Sequence, residues 1–368
     1  MAKTREPFGS LKIEYLNKNK REVIFMLLHP GTGMESLNDY KIRIGKGGVV
    51  ITTLTAEDFN GEHDQRSWLY VLILHLVSIW AAVTNFTQAL FIKTFKKRKS
   101  SFGKILWEMG RDSEHVSSFF GDRFSQINHQ TISGAASWRS LDIVYNYHEK
   151  IKPQLNGGIE SWLTKYWIGK LENRQAIANR LKIVVNLLTK AFAEFADESE
   201  IRIVSMASGS AQAVIDAMLR CPHLNIKAVL IDIDRTALVA AKDYADENGF
   251  GDRFAFVEGT TGVLEKVCQE FQPHIIEMVG FLDYRPTPQA IKLINKIKNC
   301  LPENGIFLTC NINYNREKIF LDWVMLWPMI YRNEDQFEEL LLKGGFSPQN
   351  VYIVYEPFKI HGIGVCQN

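Results

Sequence analysis

The sequence predicts an α/β fold whose C-terminal half, residues 198–368, is a seven-stranded and mostly parallel sheet. Apolar runs alternate there with helical patterns, as in a sheet that is covered by helices on both faces. The strand-like runs are 201–206, 228–233, 254–258, 274–280, 305–311, 351–355 and 362–366, and the helical patterns are 213–220, 236–248, 261–271, 288–300 and 334–343. Only residues 356–361 join the last two runs. Because this connection is too short for a parallel crossover, the sheet should end in an antiparallel hairpin.

The sequence pattern of the first 62 residues predicts a small β-containing unit there. Tyr40–Ile44 alternates apolar and polar side chains, and Gly48–Thr52 follows a glycine-rich turn. A second, mostly helical region is predicted over residues 63–197. Its last segment, 162–195, repeats apolar positions every three or four residues and predicts an amphipathic helix that leads into the sheet.

Residues Trp68 to Ile92 contain no Asp, Glu, Lys or Arg and predict one long apolar helix. A helix of that length spans about 35 Å, enough for a bilayer core of about 30 Å, and the basic cluster 93–99 follows it. His75, Ser78 and Asn85 share one helical stripe, which is typical of a helix that packs on protein, lines a pocket or lies on a membrane. Two interpretations stay open for residues 68–99: association with a membrane, or a buried or oligomer-forming helix.

The segment from Ile201 to Asp234 reads as strand, tight turn, helix and strand, which predicts a nucleoside-binding unit. A dinucleotide site needs Gly-x-Gly-x-x-Gly so that pyrophosphate can lie against bare backbone. Here Gly209 is flanked by Ala207 and Ala211 instead. A ligand without phosphate needs only small residues and free N–H groups in the turn. S-adenosyl-L-methionine (SAM) is such a ligand.

With these motifs, about 170 residues resemble the class I SAM-dependent methyltransferases, whose Rossmann-like sheet has seven strands and ends in an antiparallel hairpin. Leu301–Gly305 is similar to that family's entry to the fifth strand, and Leu341–Phe346 to its "L-x-x-A-G-F" ending. The resemblance implies SAM as cofactor. Its implied contacts are Ser205, Ala207, Ser208, Gly209, Ser210, Asp232, Ile233, Gly259, Thr260, Met278, Val279 and Gly280.

Two positions depart from the family pattern. Ser205 stands where an acid often holds the methionine ammonium group, and Thr260 stands where an acid often reads the adenine amino group. The resemblance places Asp283 and Tyr284 in the loop that borders the methyl-transfer site, so they are the candidate catalytic residues. Asp283 also fits a simpler role as an acid at a helix N-terminus. The aromatic segment 323–332 is either a wall of the acceptor site or a helix packed on the sheet.

Composition excludes several classes of function. A formal net charge of +2 gives no specific nucleic-acid signal. The five cysteines form no Cys-x-x-Cys pair, so the sequence predicts no metal site and no disulfide framework. Thiols in apolar runs favour a reducing, cytoplasmic location.

The sequence therefore predicts methyl transfer from SAM to a small-molecule or lipid-like acceptor. Gly280–Tyr284 resembles bacterial enzymes that methylate the carboxylate of hydroxy fatty acids, and a carboxylate or a hydroxyl is the expected acceptor group. Two alternatives stay open. One is a noncatalytic SAM-fold binding module, and the other is a nucleotide-linked oxidoreductase, although the turn lacks the expected phosphate cradle.

Overall fold

The computed structural model describes residues 41–59 and 66–368, and these residues contain one nine-stranded sheet. Its order is β1-β2-β8-β9-β7-β6-β3-β4-β5. Antiparallel pairs are β1 with β2, β7 with β9 and β8 with β9, and the other pairs are parallel. The strands are β1 Lys41–Ile44, β2 Val50–Thr53, β3 Ile201–Met206, β4 Ile226–Asp232, β5 Phe254–Glu258, β6 Ile275–Met278, β7 Ile306–Ile312, β8 Val351–Tyr355 and β9 His361–Gln367.

The seven strands predicted after residue 198 are all present, and the final hairpin is antiparallel as expected. From β3 the chain runs outward through β4 and β5, then returns to the other side of β3 with β6 and β7. Strand order therefore reverses between β3 and β6. In open parallel sheets, ligands bind at such a switch point, beyond the carboxyl ends of the strands.

Helices cover both faces of the sheet, and further helices form a layer beyond its carboxyl edge. The longer helices are α1 Trp68–Phe95, α2 Phe102–Gly110, α3 Gln126–Ser133, α4 Trp138–Tyr145, α5 Gly158–Thr164, α6 Glu172–Glu194, α7 Gln212–Leu219, α8 Arg235–Glu247, α9 Leu264–Phe271, α10 Thr287–Cys300, α11 Lys318–Trp323 and α12 Glu334–Lys343. Local chemistry sets several of their starts. The hydroxyls of Ser67, Ser101 and Ser125 accept backbone N–H groups in the first turns of α1, α2 and α3.

The N-terminal strand pair, which the sequence assigned to a unit over residues 1–62, joins the main sheet. β2 pairs in parallel with β8, with Val50 opposite Tyr352 and Thr53 opposite Tyr355, so β1 and β2 extend the main sheet. The four residues of β2 are buried, as expected for a strand inside a sheet. The other residues assigned to that unit, 1–40 and 60–62, lie outside the described residues.

Glu338 of α12 fixes the turn between β1 and β2. One carboxylate oxygen accepts the N–H groups of Gly47 at 2.9 Å and Val49 at 3.0 Å, and the residue is 2% exposed. Glu338→Ala should lower the free energy of unfolding by about 2 kcal/mol, because it removes two hydrogen bonds to a charged acceptor and leaves a buried donor unpaired. Urea denaturation measures this change. Glu339→Ala, on the exposed side of the same helix, is the control and should change stability by less than about 0.5 kcal/mol.

The apolar segment forms the helix α1 that the sequence predicted, and it is slightly longer than expected. By length and composition, α1 is the one helix among the described residues that could cross a bilayer. Ser78 and Asn85 are buried, and the Asn85 amide donates to the backbone oxygen of Trp323 at 2.6 Å. His75, predicted on the same stripe, is exposed instead. One face of α1 therefore packs on the protein.

Candidate functional site

A cavity of about 630 Å³ opens at the carboxyl edge of the sheet, beside the switch point between β3 and β6. Two smaller cavities adjoin it, of about 60 Å³ toward α7 and about 70 Å³ toward β5. All three are lined by Ala207, which follows β3. The sheet therefore provides one branched depression at the place where the fold predicts a ligand.

The turn after β3 has a strained backbone. Ala207, Gly209 and Ala211 have φ values of 53°, 55° and 53°, in the left-handed region that costs a residue with a Cβ atom more than glycine. Such strain is found where the surrounding structure holds it, often at ligand sites. The Ser208 hydroxyl is buried without a hydrogen-bond partner. All five residues of this turn, Ala207 to Ala211, line the 60 Å³ cavity.

Asp232, at the end of β4, ties the turn to the neighbouring loop. One carboxylate oxygen accepts the N–H of Gly209 at 2.9 Å, and the other accepts the N–H of Asp234 at 2.8 Å. Each oxygen keeps a second lone pair, so the carboxylate can also accept the two hydroxyls of a ribose. Asp232 lines the large cavity and the 70 Å³ cavity, as a ribose contact between the two requires.

The 70 Å³ cavity lies between the ends of β4 and β5. Ile233 is 71% exposed on its rim, and Gly259 and Thr260 line it together with Phe281 and Arg285. The Thr260 hydroxyl accepts the N–H of Gly262 at 3.2 Å and caps a short helical turn. A hydroxyl, in place of the acid of the family pattern, therefore lies at this end of the site.

A carboxylate does occur near Ser205, on the adjacent strand. Ser205 and Glu277 are paired residues of β3 and β6, and the buried Ser205 hydroxyl donates to Glu277. The other Glu277 oxygen accepts the N–H of Val279 at 2.9 Å. Burial raises the pKa of Glu277 to about 7, opposed by the Ser205 hydroxyl, the Val279 N–H and the Arg180 charge. Glu277 lines the 60 Å³ cavity, whereas Ser205 lies behind it.

The predicted catalytic pair, Asp283 and Tyr284, lies at the large cavity. Asp283 is 2% exposed, and its carboxylate accepts the N–H of Ile312 at 2.7 Å. Burial raises its pKa to about 6, and the charges of Arg180 and Arg332 oppose that rise. The Tyr284 hydroxyl accepts the indole N–H of Trp327 at 2.6 Å. Both predicted residues line the cavity.

Arg180 of α6 is the buried cation between these acids. It is 3% exposed, and its guanidinium donates to the Tyr145 hydroxyl at 2.8 Å. Its charge lowers the pKa values of both Glu277 and Asp283 against the effect of burial. Each acid can therefore ionise within the buried site at a lower cost than it would without the Arg180 charge.

Of the two roles that the sequence left open for the segment 323–332, the structure favours a wall of the site, because helix α11 ends at Trp323 and residues 324–332 are not helical. Pro328, Met329 and Ile330 line the large cavity, so this part is a wall of the site. Trp327 and Tyr331 are each 5% exposed and pack in the core behind it. Arg332 holds the wall by donating to the backbone oxygens of Leu282 and Arg285.

Met278, like Ser205, is a predicted cofactor contact that does not line the site. It is fully buried in the core on one face of the sheet and lies outside the three cavities. Side chains alternate across a strand, so Met278 points away from the face that its neighbour Glu277 presents to the 60 Å³ cavity. The predicted contacts that line at least one cavity are Ala207, Ser208, Gly209, Ser210, Asp232, Ile233, Gly259, Thr260, Val279 and Gly280.

The N-terminal helices supply residues that the sequence did not indicate. Trp138 and Leu141 of α4 line both the large and the 60 Å³ cavity, and the Trp138 indole donates to the Thr236 hydroxyl at 3.0 Å. Lys104, Trp107 and Arg111, in and just after α2, line the large cavity. No sequence motif marks them, because tertiary packing brings these helices to the sheet edge.

The chain resembles a known family of methyltransferases in sequence. A family model described as "Putative methyltransferase" matches residues 85–315, more than half of the chain. A Bordetella parapertussis structure described as a possible exported protein is 12% identical with a TM-score of 0.53, over 75% of this chain and 98% of that one. That likeness shows a shared fold. No curated protein matches the chain.

Two further solved structures have weaker likenesses. An O-methyltransferase family protein from Burkholderia thailandensis is 14% identical with a TM-score of 0.38, over 54% of this chain and 60% of that one. The protein PigF, solved with SAH, is 16% identical with a TM-score of 0.37, over 63% of this chain and 69% of that one.

Proposed function

The chain belongs to a family of methyltransferases, and we propose that it transfers a methyl group from SAM to a lipid-like acceptor. The observation that carries the proposal is the branched cavity at the switch point, in which Asp232 lines both the large cavity and the 70 Å³ cavity while Ala207 of the turn after β3 borders all three. A nucleoside with an amino-acid tail needs this arrangement. The turn at Ala207–Ala211 offers no glycine-rich cradle for a pyrophosphate.

The residues present fit SAM along its whole length. Ile233, Gly259 and Thr260 would hold the adenine, and Asp232 would accept the ribose hydroxyls. The unpartnered Ser208 hydroxyl and the Glu277 carboxylate, both at the 60 Å³ cavity, would hold the methionine end. Glu277 thus takes the place of the acid that Ser205 replaces, since an ammonium group needs a carboxylate within reach and the paired strand provides one.

When bound, SAM supplies a sulfonium methyl group that an acceptor can attack in line, and the large cavity is the place for that acceptor. Its walls are mainly apolar, with Leu141, Phe281 and Met329 among them. Lys104 and Arg111 add positive charge on one side. Apolar walls beside two cations suit an amphipathic acceptor with an acidic end, such as a fatty-acid carboxylate.

The role of the candidate catalytic residues depends on the acceptor group. A carboxylate acceptor carries no proton at neutral pH, so the chain would act by orienting it and excluding water. A hydroxyl acceptor must lose a proton, and Asp283 would take it, because a pKa of about 6 leaves its carboxylate ionised at neutral pH. Tyr284, fixed by Trp327, would position the acceptor in either case.

Two measurements test this function in sequence. Isothermal titration should detect binding of SAM and of its demethylated product, and no measurable affinity for either would refute the cofactor assignment. Incubation with methyl-labelled SAM and fractionated cell extract should then place label in the lipid fraction. Label in protein or RNA would contradict the proposed acceptor, and binding without any transfer would identify a binding module. Tight binding of NAD or NADP in place of SAM would identify an oxidoreductase.

A further inference from the structure

The outward face of helix α1 is a continuous apolar surface. Large side chains lie on it at helical spacing, including Leu72, Leu76, Ile79, Trp80, Val83 and Phe91. These six are between 46% and 64% exposed. No charged residue interrupts the helix from Trp68 to Ile92. We call this surface the α1 outer face. It is far more apolar than the ordinary scattered exposure of single residues on a protein surface.

The opposite face of α1 is fixed to the protein along most of its length. Tyr70, Leu74, Ala81 and Ala89 are buried in the N-terminal core, and Asn85 bonds to the backbone of the Trp323 region. A helix held at both ends by the fold cannot cross a bilayer without taking its packing partners into the hydrocarbon. The structure therefore disfavours spanning, one of the interpretations that the sequence left open, and favours a helix that lies parallel to a surface.

The charge next to this face is mostly positive. Residues 67–107 contain six Lys or Arg and no Asp or Glu. Lys96, Lys97, Arg98 and Lys99 are all exposed at the end of α1, and Arg98 pairs with Glu108 of α2. Lys93 lies 4.7 Å from the ring centre of Phe102, within the same helix pair. An apolar face next to clustered cations matches the acyl boundary and phosphate groups of an anionic bilayer.

We propose that the α1 outer face docks in the surface of an anionic membrane, with the apolar side chains in the acyl boundary and residues 96–99 on the headgroups. A second copy of this chain fits less well, because residues 67–107 offer no carboxylate to meet the basic cluster of a partner helix. Docking itself does not rest on the proposed methyl transfer.

Docking would also bring the acceptor cavity close to the lipid. Phe102 at the start of α2 stacks on Phe86 of α1 with ring centres 5.1 Å apart. Gly103, Lys104 and Trp107 of the same helix line the cavity. One helix thus separates the membrane-facing surface from the cavity.

The test is flotation of the full chain with lipid vesicles in a density gradient. The wild-type protein should float with vesicles of equal phosphatidylcholine and phosphatidylglycerol, and about fivefold less with phosphatidylcholine alone. Leu76→Glu/Trp80→Glu should reduce the floating fraction about tenfold. Lys96→Gln/Lys97→Gln/Lys99→Gln should reduce it on the mixed vesicles and remove its sensitivity to salt.

A matched control separates docking from general loss of apolar surface. Leu219→Glu/Val239→Glu changes two residues that are 43% and 52% exposed on α7 and α8, and it should float like wild type. The proposal is overturned if wild type stays in the protein-only fraction with both kinds of vesicle, or if Leu76→Glu/Trp80→Glu floats equally well. A concentration-dependent dimer in light scattering, without flotation, would assign the face to a second copy. The lysine variant keeps the test decisive if the double glutamate variant fails to fold, since its substitutions are fully on the surface.

Discussion

Replacing Asp232 with alanine is expected to weaken SAM binding by about 100-fold or more. The carboxylate would contribute hydrogen bonds to two ribose hydroxyls, and bonds to a charged acceptor contribute about 1.5–3 kcal/mol each. It also holds the N–H groups of Gly209 and Asp234, so its loss frees the turn on which the ligand lies. Isothermal titration with SAM and its demethylated product measures the change in Kd.

Two comparisons make this result interpretable. Asp252→Asn alters an exposed acid at the start of β5, on the opposite edge of the sheet, and should leave the Kd within about threefold of wild type. Asp232→Asn keeps one carbonyl oxygen, so it should fall between wild type and Asp232→Ala. If Asp232→Ala binds SAM as tightly as Asp252→Asn does, the ligand lies elsewhere and the assignment of the cavity is wrong.

The sheet of the C-terminal half could be predicted because its signals are local. Each strand is a short apolar run bounded by turn residues, and the six-residue connection 356–361 allows only a hairpin. The place of β1 and β2 could not be predicted in the same way. The pairing of β2 with β8 joins residues about 300 positions apart. Part of what fixes them is the Glu338 carboxylate, whose partners are backbone N–H groups that carry no sequence pattern.

The same distinction applies to the site. Gly209 and Asp232 were predictable because a tight turn and a strand-end acid are properties of one βαβ unit. Trp138, Lys104 and Trp107 were not, because only the packing of α2 and α4 against the sheet edge gives them a role. Glu277 is an intermediate case. An acid inside the apolar run 274–280 is a visible anomaly, but its partner Ser205 becomes evident only from the register of β3 with β6.

Glu277→Gln is expected to weaken SAM binding about tenfold at about pH 8 and to abolish its pH dependence. In the wild-type protein the pKa of Glu277 is raised to about 7 by burial. If only the ionised carboxylate binds the ammonium group, raising the pH from about 6 to about 8 should tighten wild-type binding about tenfold. The amide carries no charge at either pH, so the variant should have nearly the same Kd at both. Glu303→Gln, at the opposite edge of the sheet, should keep the full wild-type pH dependence.

Stability without ligand gives an independent measure of the same group. A carboxyl whose pKa is higher in the folded than in the unfolded state loses stability as pH rises from the unfolded value of about 4.5 through about 7. Glu277→Gln should therefore raise the free energy of unfolding relative to wild type at about pH 8, with a smaller gain or none near pH 5. A variant that is more stable yet binds SAM more weakly at pH 8 would show that the chain maintains a costly buried charge for its ligand. If the variant and the wild type showed the same pH dependence of binding, Glu277 would not be the partner of the methionine ammonium group.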